Sequence, residues 1–190
     1  TQGGFRRGEQ WMIGALQHKN KTGFTLSLFI QFALFNKPLM IDVNKKPLLL
    51  RISFEDDITT NMNFVYKYLK ARELRAQLFQ KGEPWPDEVD DISIGDVSQE
   101  EIAQYVKERL SVNGYEVKFM RVDPSQWTYM HLCNYITSLE AEGYEVHCCM
   151  ADYLAMLPTT GCTVGPMGTD LRDMYRRTRN FMSPRKILFM

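Results

Sequence analysis

The chain has 190 residues, of which 44% are hydrophobic and 24% are charged, and these proportions suit one globular domain with a sizeable core. The formal net charge is zero, which excludes a global field that would draw the chain onto nucleic acid or a membrane, so any such contact needs a local patch. The longest nearly apolar run, 24–35, is too short to span a bilayer. No two of the four cysteines form a Cys-x-x-Cys pair, which indicates reduced core residues. We expect a cytoplasmic protein with no membrane partner.

Strand-like and helix-like segments alternate along the chain, which predicts an α/β domain with a mostly parallel β-sheet flanked by helices on both faces. The predicted elements in chain order are a strand at 10–15, a helix at 22–35, a strand at 48–54, helices at 57–80 and 98–111, a strand at 116–122, a helix at 125–142, a strand at 146–151, a helix at 170–182 and a strand at 187–190. The stretch 82–97, rich in acidic residues, proline and glycine, predicts a solvated loop or insertion. We expect residues 1–190 to form a single domain. Because the chain begins with Thr1 rather than Met and ends in a strand-like run, we also expect it to be a fragment of a longer protein.

A phosphate-binding motif is predicted between the first strand and the first helix. Residues 11–26 have the layout of a P-loop, with a strand, a short loop ending in Lys21-Thr22, and an apolar helix. The usual pattern, Gly-x-x-x-x-Gly-Lys-Ser/Thr, is degenerate here, since Ala15 and Asn20 occupy the glycine positions. Asparagine enters left-handed backbone conformations more readily than most residues, although its side chain would crowd the phosphates. The residues predicted to bind the nucleotide are Ala15, Gln17, His18, Lys19, Asn20, Lys21, Thr22 and Gly23.

Two carboxylates follow later strands and complete the predicted chemistry. Lys21 is predicted to neutralise the β- and γ-phosphates, and Thr22 and Asp152 to hold Mg²⁺, since Asp152 follows the apolar run 146–151 in a Walker B arrangement. Glu55 follows the strand at 48–54 and is predicted to orient and deprotonate the attacking water. The plainer alternatives are an ordinary strand-to-helix turn, an acidic helix N-terminus, and an acidic residue that merely ends a strand.

The basic cluster of this chain lies near its end. Arg172, Arg176 and Arg179 recur at helical spacing and are candidates for contact with the DNA backbone or with a neighbouring subunit. Such a run is more often a solvated helix face, and the loop at 158–168 is a better place to expect DNA contact. DNA binding by these three arginines is therefore the weakest of the site predictions.

Several motifs together resemble the DnaB-like hexameric replicative DNA helicases, a branch of the RecA-type ATPases. The segment 3–15 is similar to that family's Gly-Gly-Leu-x-x-Gly-x-Leu lead-in, which a Gly-Ala follows before the P-loop. Residues 53–55 resemble its Ser-Leu-Glu, and residues 151–157 resemble its Asp-Tyr-Leu-x-Leu-Met signature. The final helix and strand match those that precede the family's sensor glutamine, so the resemblance covers nearly the whole chain.

The resemblance implies a RecA-like P-loop NTPase fold, ATP and Mg²⁺ as cofactors, and Glu55 as the catalytic base. It further implies a ring hexamer that moves on single-stranded DNA in a bacterial cell, with a primase and a helicase loader as partners. The long acidic stretch would suit a phage-encoded member. The family's sensor glutamine, arginine finger and N-terminal domain are not in this chain, so we expect it to be weakly active or inactive alone.

Two other functions remain open at this point. A RecA-like recombinase or recombination mediator would share the nucleotide site, although the Asp-Tyr-Leu signature and the Arg-Arg-Gly-Glu lead-in favour the helicase. A degenerate, non-hydrolysing RecA-fold scaffold is the other alternative, and Asn20 in the P-loop supports it.

Overall fold

The computed structural model describes residues 4–16, 19–84 and 93–190. Its elements are α1 Lys21–Phe35, β1 Lys46–Ser53, α2 Ile58–Lys81, α3 Gln99–Leu110, β2 Glu116–Arg121, α4 Tyr129–Ala141, β3 Tyr144–Asp152, α5 Thr169–Met182 and β4 Leu188–Phe189, with a 3₁₀ turn at Leu154–Met156. This alternation confirms the predicted α/β class. No helix within the described ranges is long and apolar enough to cross a membrane.

The four strands form one sheet in the order β2-β1-β3-β4, and every neighbouring pair is parallel. β1 and β3 lie at the centre, and their register pairs Ser53 with Asp152, the last residue of each strand. A central parallel strand is covered on both faces, which explains why the sequences of β1 and β3 read as nearly continuous apolar runs. The sheet therefore places the carboxyl ends of β1 and β3 side by side.

Helices cover both faces of this sheet and enclose two hydrophobic clusters. On one face, side chains such as Leu50 and Cys149 pack with α4 and α5. On the other face, Leu49 and Cys148 pack with α1, α2 and α3. Residues that alternate along β1 and β3 thus enter opposite clusters, as the period of two in a strand requires.

The prediction of a strand at 10–15 is wrong, because the described residues of this segment form a single isolated bridge instead. That bridge is parallel and pairs Gln10 with Phe189. The N–H of Trp11 donates to the carbonyl of Phe189 at 2.9 Å, and the N–H of Phe189 donates to the carbonyl of Glu9 at 2.9 Å. Because β4 is itself only two residues long, it offers few backbone groups to a fifth strand.

Two predicted helix starts have different outcomes. The capping box at α3 is confirmed, because the hydroxyl of Ser98 accepts the N–H of Glu101 at 3.2 Å and the N–H of Ser98 donates to Glu101 Oε2 at 2.9 Å. The prediction that α4 begins at Ser125 is wrong, because α4 begins at Tyr129. Asp123 accepts both the N–H and the hydroxyl of Ser125, at 2.9 Å and 2.7 Å. These bonds close a turn that delays the helix.

The acidic stretch 82–97 separates α2 from α3. Gly82 ends α2 with φ 69°, a left-handed conformation that glycine adopts readily, and its N–H donates to the carbonyl of Phe79 at 3.2 Å. Residues 82–84 and 93–97 are neither helix nor strand, in agreement with the predicted loop. The rest of that prediction, 85–92, lies outside the described residues.

Candidate nucleotide-binding site

The carboxyl ends of β1 and β3 meet the N-terminus of α1 at one edge of the sheet. The N–H of Phe54 donates to the carbonyl of Asp152 at 2.9 Å, and Glu55 follows at once with an exposed side chain. Lys21, the first residue of α1, reaches the carboxylate of Asp152. This edge is where ligands bind in open parallel sheets. The structure thus brings Lys21, Glu55 and Asp152 to one edge, as the sequence predicts.

Asn20 begins α1 in the left-handed conformation, with φ 54° and ψ 39°. Its carbonyl accepts the N–H of Phe24 at 3.0 Å and so starts the helical hydrogen bonds. Its side chain makes no capping bond and instead covers Gly23, where an added Cβ would overlap the Asn20 amide. The degenerate P-loop position therefore keeps a backbone conformation typical of glycine, and Gly23 supplies the space that the Asn20 side chain needs.

The side chain of Lys21 is already engaged within the protein. Its Nζ lies 3.4 Å from Asp152 Oδ1 and 4.0 Å from the centroid of the Tyr153 ring. The Lys21 side chain is 25% exposed, so it can turn towards a ligand without unfolding the site. An anion at the N-terminus of α1 would also meet the partial positive charge of the helix dipole. The peptide bond between Asp152 and Tyr153 is cis.

Asp152 is buried and holds a second cation that the sequence analysis missed. Its Oδ2 lies 2.7 Å from the guanidinium of Arg51, whose side chain is only 2% exposed. Arg51 also donates to the hydroxyl of Thr25 in α1 at 2.9 Å. The signal was an arginine in the otherwise apolar run of β1, because a buried guanidinium needs an anionic partner.

Glu55 shares an open cavity of about 650 Å³ with Lys21 and Thr22. Its other described lining residues are Ala15, Leu16, Lys19, Asn20, Asp56 and Tyr153. The volume suits a small-molecule ligand, the two lysines favour an anion, and the two carboxylates offer proton acceptors. Of the remaining predicted binding residues, Gly23 is buried, and Gln17 and His18 lie outside the described residues.

Asp152 does not line this cavity. It lines a neighbouring cavity of about 80 Å³ together with Arg51, and the side chains of Lys21 and Tyr153 border both cavities. The Lys21–Asp152 ion pair therefore separates the large cavity from the buried Arg51. If Lys21 turns towards a ligand, Asp152 keeps the contact with Arg51.

While Lys21 contacts Asp152, a divalent ion does not fit beside this carboxylate. Oδ1 faces Lys21 and Oδ2 faces Arg51, so neither oxygen is free of a cation. Proteins usually hold Mg²⁺ through one or two carboxylates together with substrate phosphates and water. Within the ranges that the structure describes, no group of three or more His, Cys, Asp or Glu side chains could hold a metal. The assignment of Mg²⁺ to Thr22 and Asp152 stays a prediction.

The predicted DNA-contact arginines lie on α5 and line neither of these two cavities. Arg176 lies 2.6 Å from Oδ1 of the buried Asp173, so part of its charge is already neutralised. Arg172 and Arg179 are exposed. Contact between these three arginines and DNA stays a prediction.

Asp173 also fixes the loop at 158–168. Its Oδ2 accepts the N–H of Thr163 at 2.9 Å and lies 2.8 Å from Nε of Arg177. The bond from Thr163 and the contacts with Arg177 and Arg176 hold the pKa of Asp173 well below its usual value. The loop that the sequence analysis favoured for DNA contact is thereby anchored to α5.

A comparison with protein families identifies the chain. The model described as a divergent DnaB-like ATPase matches residues 1–190, which is the whole length. The chain therefore belongs to this family, and its parallel sheet flanked by helices is consistent with the RecA-like fold that the resemblance implied. No curated protein matches the chain.

Proposed function

We propose that this chain is an ATP-hydrolysing motor core that acts on DNA, and that the large cavity at the carboxyl edge of the sheet holds the triphosphate. The observation that carries the proposal is the convergence of Lys21, Thr22 and Glu55 on one cavity at the N-terminus of α1. The family match over the whole chain supports the same reaction class. The family match supports nucleotide binding, and hydrolysis by these residues is what we propose in addition.

In the proposed hydrolysis, Lys21 binds the phosphates and Glu55 activates the water. Lys21 leaves Asp152 and neutralises the terminal phosphates, aided by the partial positive charge at the start of α1. Glu55 accepts a proton from a water molecule as the water oxygen bonds to the γ-phosphorus. The bond between that phosphorus and the β–γ bridging oxygen breaks, and ADP and inorganic phosphate leave. Asp152 remains paired with Arg51 throughout.

The motor part of the proposal is a ring helicase that moves along single-stranded DNA and unwinds the duplex. Its support is the family match and the position of α5, whose exposed Arg172 and Arg179 are free of ion pairs among the described residues. A self-assembled hexamer, a primase and a loader belong to this proposal, as does a phage-infected bacterial cell.

A second candidate is a nucleotide-binding scaffold that does not hydrolyse ATP. The specific observation in its favour is that both oxygens of Asp152 are already paired with cations, an arrangement that holds the carboxylate in place without a ligand. On this alternative, nucleotide would bind and regulate assembly without being consumed.

Hydrolysis of ATP with and without single-stranded DNA separates the two candidates. The motor proposal predicts phosphate release that DNA stimulates and that both Lys21→Ala and Glu55→Gln abolish. Lys107→Ala and Glu108→Gln, two exposed positions on α3, are matched controls that should retain it. Nucleotide binding without hydrolysis, in the presence and absence of DNA, would favour the scaffold. Absence of both binding and hydrolysis would contradict both candidates.

A further inference from the structure

Arg51 occupies an unusual place for a charged side chain. It lies in the middle of the central strand β1 and is 1% exposed, with its guanidinium between α1 and the end of β3. Among the described residues its guanidinium contacts the hydroxyl of Thr25 at 2.9 Å, Oδ2 of Asp152 at 2.7 Å and the sulfur of Met150 at 3.9 Å. Its buried Nε has no hydrogen-bond partner in this part of the chain. Asp152 is therefore the main group that neutralises the buried charge of Arg51.

This dependence fixes the charge state of both partners. Burial lowers the pKa of Arg51, and the charges of Asp152 and Asp56 oppose that shift. Since a guanidinium stays protonated in proteins, its charge persists and needs an anion beside it. Lys21 can leave because it is partly exposed, whereas Arg51 has no route to solvent. The pair between Arg51 and Asp152 is thus the permanent one.

Asp152 borders the large cavity through Lys21, and its carboxylate would repel a triphosphate there unless a cation neutralises it. At this site the neutralising cation, Arg51, is built into the sheet. We infer that Arg51 takes over the charge-neutralising role of a divalent ion at Asp152, so that ATP binds at this site without a divalent cation. The inference rests on the proposed nucleotide site and makes Arg51 a positioning residue that acts through Asp152.

The first test compares ATP affinity in excess EDTA with ATP affinity in excess Mg²⁺, measured by titration calorimetry on the 190-residue chain. We expect the two dissociation constants to agree within about threefold, a difference below 1 kcal/mol. Binding in Mg²⁺ together with a loss of about tenfold or more in EDTA would overturn the inference while leaving the nucleotide site standing. Absence of binding in both buffers would overturn the proposed function and this inference with it.

The second test removes the buried charge. Arg51→Met retains similar length without charge, so Asp152 should repel the phosphates and affinity in EDTA should fall about tenfold, with Mg²⁺ restoring it. Arg51→Lys keeps a cation and should stay close to the unaltered chain, and Arg121→Met, at an exposed position, is the matched control. Circular dichroism establishes that each variant is folded. Equal affinity of folded Arg51→Met in both buffers would overturn the inference, and if that variant does not fold, the comparison on the unaltered chain still decides.

Discussion

Two acidic residues of β3, Glu145 near its amino end and Asp152 at its carboxyl end, are both buried and both paired with arginine. Glu145 also accepts backbone N–H groups from Ile41 and Asp42 at 2.9 to 3.1 Å. The carboxylate of Asp152, by contrast, contacts only side-chain cations among the described residues. Backbone donors fix a carboxylate in one arrangement, whereas a side-chain cation can turn away. The comparison indicates that backbone donors share the stabilisation of Glu145, whereas Asp152 keeps Arg51 as its permanent partner and can release Lys21.

The cluster around Glu145 joins three distant parts of the chain. Arg7 lies 2.8 Å from Glu145 and donates to the carbonyls of Leu39 at 2.7 Å and Lys186 at 2.9 Å. Nε2 of His147 lies 3.0 Å from Glu145 Oε1. Burial and the nearby charge of Arg7 nevertheless lower the pKa of His147 to about 4. This cluster therefore contains a permanent cation, a carboxylate and a neutral imidazole.

Removing the carboxylate at the carboxyl end should have the largest effect on stability. Asp152→Ala leaves Arg51 buried without an anion, and we expect a loss of about 3–5 kcal/mol in the free energy of unfolding. Urea denaturation measures it, with Asp96→Ala at an exposed position as the control. If the free energy of unfolding fell by less than about 1 kcal/mol, another group would have to neutralise the buried charge of Arg51. The contrast between the surroundings of Asp152 and those of Glu145 would then fail.

The pH dependence of stability tests the neutral state of His147. Because its pKa is about 4 in the folded chain and 6.5 in the reference state, the unfolded chain binds more protons between these values, and stability should fall as the pH drops from 6.5 to 4. The contribution of this one group is up to about 3 kcal/mol. His147→Gln should flatten the fall in this window. An unchanged slope in His147→Gln would contradict the assigned shift.

Neutralising Glu145, near the amino end of β3, should lower the free energy of unfolding less than removing the carboxylate of Asp152 does. Glu145→Gln keeps an oxygen for the N–H groups of Ile41 and Asp42, so we expect a loss of about 1–3 kcal/mol, measured by urea denaturation. Glu142→Gln, an exposed position before β3, is the matched control with almost no change expected. A loss larger than that of Asp152→Ala would reverse the comparison.

The contact between Asn20 and Gly23 predicts that the effect of Gly23→Ala on stability changes sign when Asn20 is replaced by glycine. Each effect should be about 1 kcal/mol in the free energy of unfolding. Gly23→Ala alone should destabilise the chain, because the new Cβ meets the Asn20 amide. In an Asn20→Gly background the same substitution should stabilise α1, since alanine favours a helix over glycine by about 1 kcal/mol. Thermal unfolding of the two single variants and the double variant forms the cycle. Equal effects of Gly23→Ala in both backgrounds would show that the two residues are independent.

The sequence was sufficient where a local rule decides the outcome. Asn20 adopts the left-handed conformation because asparagine tolerates it, and Ser98 with Glu101 forms the expected capping box. The predicted helix start at Ser125 is wrong because the hydroxyl of Ser125 donates to Asp123 and closes a turn instead of capping a helix. A local sequence pattern shows which conformations and hydrogen bonds a residue can adopt, but it does not show which of the possible partners the residue bonds to.

The contacts of the site required the three-dimensional structure. Arg51 and Asp152 are 101 positions apart in the chain, and their pairing follows from the parallel register of β1 with β3. The sequence predicts that Lys21 faces phosphates, and in this structure its Nζ lies 3.4 Å from Asp152 Oδ1. Spacing within the sequence carries no information on such long-range pairs.

Direct binding of ATP is the measurement that tests the central claim, which is that the cavity at the carboxyl edge of the sheet is a nucleotide site. The account predicts saturable binding by the unaltered chain, a loss of about tenfold or more in Lys21→Ala, and unchanged affinity in Lys107→Ala. Equal affinity in all three proteins, or no binding in any of them, would contradict it.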